Sequence, residues 1–119
     1  MKNNTKEKKI DIREGSITFW VKENTVQWND NQITVLFNIT VNTTGSLFMV
    51  KDNDNKLKFF HVFLNYGRTD VETVVSMLDP SKRHFIAATW SVYKKEICLY
   101  VDGELKDKKV FNITLKSNV

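Results

Sequence analysis

The residues best equipped for chemistry are aromatic rings set beside amides and charges. Trp28 is followed by Asn29, Asp30 and Asn31, and Asn65-Tyr66 is followed by Gly67 and Arg68. A ring can stack on the apolar face of a sugar while neighbouring amide, carboxylate or guanidinium groups take its hydroxyls. Trp28, Asp30, Asn31, Asn65, Tyr66 and Arg68 are therefore the candidate ligand-binding residues. Trp20 and His61 join them if a sheet face is left exposed.

Other chemistries fare worse. Asp70 and Glu72 are two apart and could face the same way, but they flank a turn and lack a third carboxylate. Cys98 with His61 or His84 could be drawn as a nucleophile and base. A thiol on an apolar strand reads more simply as a small packing residue. Asp52-Asn-Asp-Asn-Lys56 starts like a calcium loop but lacks its later signature. Leu57 and Phe63 stand where that loop needs glycine and glutamate. Two histidines far apart in sequence make no metal cluster. No catalytic residue, metal ligand or cofactor is expected.

These groups must be held by a chain of 119 residues, enough for one domain. With Cys98 as the single cysteine, no intrachain disulfide can form. The formal charge is +4, with lysines gathered at the N-terminus and in expected turns. Lysines so placed keep a surface soluble and protect sheet edges. No basic helix accompanies them, so nucleic acid is not an expected partner. Residues 1–9 form a polar tail with no apolar run behind it, unlike a signal peptide. No stretch approaches the ~20 apolar residues of a membrane-spanning helix. A single domain over 10–119 is expected.

The apolar runs alternate with period two and are rich in Val, Ile, Thr and aromatics, which predicts strands. The first, about Gly15–Lys22, puts Ile17, Phe19 and Val21 on one face and Thr18, Trp20 and Lys22 on the other. The second, Ile33–Val41, puts Ile33, Val35, Phe37, Ile39 and Val41 on one face. Ser46–Lys51 and Leu57–Tyr66 follow, the latter apolar on both faces. Val71–Leu78 is the fifth, after a turn over 67–70, and Asp79-Pro80-Ser81 is a turn. His84–Val92 and Glu96–Val101 are separated by a polar turn, and Asp102-Gly103 is a tight one. Val110–Leu115 is the eighth. Eight short strands with regular turns predict an all-β, antiparallel sandwich.

Three segments carry a family resemblance. Gly15-Ser-Ile-Thr-Phe-Trp-Val-Lys22 resembles the opening signature of laminin G-like domains, which are jelly-roll sandwiches of the concanavalin A-like lectin and glucanase class. Phe85-Ile-Ala-Ala-Thr-Trp90 and Leu99-Tyr-Val-Asp-Gly-Glu-Leu105 resemble the late hairpin of that family. The resemblance implies a jelly-roll sandwich, a glycan or protein ligand, and an extracellular or cell-surface setting. It implies calcium only in general terms, since no residue here matches a rim site. Glycosidases of the class carry a Glu-x-Asp-x-x-Glu strand, which is not in this chain, so a non-catalytic binding module is expected rather than an enzyme.

Two departures stand out. Arg83 occupies a place where the family often has tryptophan, and flanking strands common in the family are missing. A shortened sandwich can satisfy a bare edge by pairing with a second copy. The alternative expectation is thus a self-associating structural protein, a homodimer through a sheet edge or face. Sequons at Asn3, Asn38, Asn42 and Asn112 are candidate glycosylation sites. Asn38 and Asn112 fall on the wet sides of their strands, and Asn42 follows on the same side as Asn38.

Overall fold

The computed structural model describes residues 10–41, 43–64 and 66–111. They form eight antiparallel strands: β1 (Glu14–Val21), β2 (Thr34–Val41), β3 (Gly45–Lys51), β4 (Lys56–Phe63), β5 (Gly67–Val74), β6 (His84–Ser91), β7 (Glu96–Val101) and β8 (Glu104–Val110). They build two four-stranded sheets, ordered β1-β6-β7-β8 and β2-β3-β4-β5. The all-β jelly-roll sandwich read from the sequence is the architecture found. Among the described residues no helix is long and apolar enough to cross a membrane.

The core lies between the sheets and follows from alternation. Ile86, Ala88 and Trp90 of β6 and Ile97, Leu99 and Val101 of β7 point inward and are buried. Leu47, Met49, Leu57 and Phe59 answer them from β3 and β4. Trp90 satisfies its indole N–H by donating to the Asp11 carbonyl at 2.9 Å, as a buried tryptophan must.

Three strands differ from the alternation read in the sequence. In β2 the register shifts between Val35 and Phe37, so Leu36 is an extra residue. A bulge swaps the two faces on either side of it. Ile33 and Val35 are therefore exposed, at 66% and 54%, while Phe37 and Ile39 pack on the core. β5 begins at Gly67, not Val71, and ends before Met77, which is exposed. Among the described residues the eighth strand is Glu104–Val110, a segment the alternation did not mark as strand. The tight Asp102-Gly103 turn, with φ of 52° and 84°, folds it straight back on β7. Phe111 is buried, and residues 112–115 lie outside the described ones.

Candidate functional site

The Trp28 loop is a structural lock. Trp28 is 1% exposed and meets the His84 ring edge-on at 5.8 Å. Its ring faces serve the core and cannot stack on a sugar, contrary to the sequence expectation. Asp30 and Asn31 are also spoken for. Lys51 ends β3 pointing inward, and its side chain is fully buried. Its ammonium donates to Asp30 Oδ1 at 2.8 Å, the Gln32 carbonyl at 2.5 Å, and the Asp52 carbonyl and Asn55 Oδ1 at 3.3 Å. The ammonium holds the Asp30 carboxyl below the usual carboxylate range. Asn31 N–H donates to Asn55 Oδ1 at 2.9 Å, and Asn55 Nδ2 donates back to Asn31 Oδ1. These bonds strap the 28–32 loop to the β3–β4 turn.

Tyr66 and Arg68 sit at the other end of β4, so they do not converge with Trp28. Eight residues of strand separate the two ends by roughly 27 Å. Tyr66 stacks on Phe63 at 5.0 Å and meets Phe111 edge-on. Arg68 lies over the Phe60 ring at 4.8 Å, and Phe60 stacks on Phe48 at 5.6 Å. This ladder, with Asn38 opposite Phe48 and Asp70 opposite Phe60, crosses the outer face of β2–β5. Asn38 is exposed there. Asn65, Asn42, Asn112 and Asn3 fall outside the described residues.

His61 is fully buried, which overturns its expected place on an exposed face. The side of β4 carrying Leu57, Phe59 and His61 is the core side. His61 Nε2 lies 2.7 Å from the Ile12 carbonyl and must donate to it, leaving Nδ1 buried without a partner. Burial pushes its pKa below the ordinary 6.5.

Trp20 is the outward tryptophan, 55% exposed on the outer face of β1. Phe85 of β6 sits directly across from it, with ring centroids 5.1 Å apart. The Arg83 guanidinium lies 5.1 Å from the Trp20 ring centre. Glu23, just past β1, reaches Arg83 at 4.0 Å. The next row of the same face runs Thr18, Ala87, Tyr100 and Leu105. A half-open indole with a cation, a carboxylate and a second ring beside it forms a polar-rimmed aromatic platform. Sequence reasoning missed Arg83, Glu23 and Phe85. Phe85 alternates against Ile86 and Trp90 and so points outward, but only the β1–β6 register reveals that it meets Trp20.

Two four-stranded antiparallel sheets packed face to face define the jelly-roll class of β-sandwich. The laminin G model of the Concanavalin A-like lectin/glucanases superfamily matches residues 3–118. The chain belongs to that superfamily. Its fold is also similar to a solved structure, the Ruminococcus gnavus IT-sialidase CBM40 bound to α2,3-sialyllactose. Identity is 14% and the TM-score is 0.55, over 84% of this chain and 54% of that one. The chain thus spans about half the length of that structure. No curated protein matches the chain.

Proposed function

We propose that this protein is a non-catalytic carbohydrate-binding module whose contact surface is the Trp20 face of β1 and β6. The observation that carries the reading is the 55% exposure of Trp20 beside Phe85, Arg83 and Glu23. The indole offers a flat apolar surface for sugar C–H groups. Arg83 and Glu23 offer a donor and an acceptor for hydroxyls, and Arg83 can also meet a sugar carboxylate. The bound sialyllactose in the similar CBM40 structure supports a glycan ligand. Asp70 and Glu72, the carboxylates two apart in sequence, are ion-paired, Glu72 with Lys56 and Lys58 and Asp70 with Arg68. An exported or surface-exposed setting goes with this reading.

The test is a glycan array of neutral and acidic oligosaccharides, sialyllactose included, followed by Trp20→Ala. Trp20 is exposed, so the variant should keep its fold and lose at least tenfold in affinity for any binder, a loss of about 1.4 kcal/mol. An array without any binder, or full affinity in Trp20→Ala, overturns the proposal.

A further inference from the structure

The Trp20 face continues across the sheet. Beside Thr18, Ala87 of β6 and Tyr100 of β7 point outward, and exposed Leu105 of β8 closes the row. Ala87 is small, so the middle of the face is low. The Trp20 and Phe85 rings rise on one side of it and the Tyr100 ring on the other.

Tyr100 is half-buried and lies back along its strand. Cys98, two residues earlier on the same outer face, is only 4% exposed. It is also the neighbour that most raises the Tyr100 pKa above the usual 10. A ring lying back over the thiol accounts for both and turns one of its faces outward. Trp20 and Tyr100 stand two strands and two residues apart, roughly 12 Å between Cα positions. Rings in direct contact have centroids about 4.5–7 Å apart, so no single sugar ring lies on both.

From this spacing we propose that the site takes an extended, neutral oligosaccharide of about three or more units, laid across β1, β6 and β7, with one unit on Trp20, the next over Ala87 and the third on Tyr100. The inference rests on the glycan reading of the Trp20 face and adds a ligand class and a second anchor to it. A β-1,4-linked chain is a flat ribbon that lays its C–H groups on the two rings and turns its hydroxyls to the sides. Exposed Thr18 and half-buried Thr89, which flank Ala87, offer hydroxyls to meet them. The cations flanking the face are balanced. Arg83 pairs with Glu23, Lys106 with Glu104 at 2.7 Å and Lys108 with Glu96 at 3.1 Å. Such pairs serve hydroxyls as donor and acceptor, whereas a polyanionic chain would meet a carboxylate beside each of these cations.

Titration calorimetry with cello-, xylo- and chito-oligosaccharides of two to six units tests it. In at least one series, affinity should rise about tenfold between two and four units and then level off. Tyr100→Ala should lose that gain, so that the four-unit chain binds no better than the two-unit one, which still binds through Trp20. Tyr100→Phe keeps the ring and should keep the gain. Binding without a gain in length, a gain that survives Tyr100→Ala or is lost in Tyr100→Phe, or no binding by any of the three series overturns the inference. A short glycan that needs Trp20 but is indifferent to Tyr100 would overturn it while leaving the glycan reading in place. An array without any binder removes both.

Discussion

The two histidines show how much one ring's surroundings decide. His84 lies 2.8 Å from Asp102 Oδ2 through Nδ1 and 2.8 Å from the Asp79 carbonyl through Nε2. Both partners accept, so this geometry favours the protonated ring, in which both nitrogens donate. Burial pulls its pKa down, but the Asp102 and Asp79 bonds outweigh that and hold it above 6.5. His61 is held below 6.5 by burial. The consequences for stability have opposite signs. The His84 contribution is fully present below pH 6.5 and fades as pH rises through its raised folded value. The unfolded chain protonates His61 more readily than the folded one, so His61 costs stability as pH falls below 6.5. In a proton-detected titration, the His84 ring should have its midpoint above 6.5, while the His61 ring should stay flat down to that pH. The stability lost in His84→Gln should be largest at acid pH and shrink above 6.5. A loss that grows with pH would contradict the two-donor geometry. Neither environment was legible in the sequence, because each depends on acceptors 5 to 49 positions away.

Among elements, alternation was readable where strands run regularly between turns. β1, β6 and β7 were legible for that reason, since each has one face of Ile, Val, Phe, Leu, Ala or Trp. It failed where backbone geometry overrode side-chain type. The Leu36 bulge in β2 turned Ile33 and Val35 outward, and nothing in a run of apolar residues marks an inserted one. β8 was hidden because Glu-Leu-Lys-Asp-Lys-Lys-Val reads as loop. It is a strand because the Asp102-Gly103 turn aligns it with β7, which supplies its ladder bonds. Glycines discriminate in the same way. A Cβ on Gly45 would stand 2.2 Å from the Val62 carbonyl oxygen and 2.8 Å from Ile12, whereas one on Gly67 meets nothing. Gly45→Ala should cost more than ~2 kcal/mol, because backbone cannot step aside cheaply. Gly67→Ala should cost about 1 kcal/mol, only the penalty of its φ of 74°. Urea midpoints of the two variants check the order, and a milder Gly45→Ala would show that β4 yields there.

At the scale of the molecule, the sequence signatures were legible because they are neighbours in space. Gly15–Lys22, Phe85–Trp90 and Leu99–Leu105 supply most of β1 and β6, the second half of β7 and the start of β8, all in one sheet. The other sheet was visible only as strand pattern. The binding face was harder to see, because sequence proximity grouped Trp28 with Asp30 and Asn31, while folding spends all three on fastening one rim. That fastening depends on the Lys51 ammonium, which gathers four oxygens from two loops. A free ion doing the same work would come and go with the surrounding medium. A cation carried on one of the chain's own side chains is covalently tethered there and cannot be washed away. The rim should therefore be indifferent to what is dissolved around it. The melting temperature should be unchanged by millimolar chelator or by added calcium. A shift of several degrees with either would mean that an exchangeable ion shares the task.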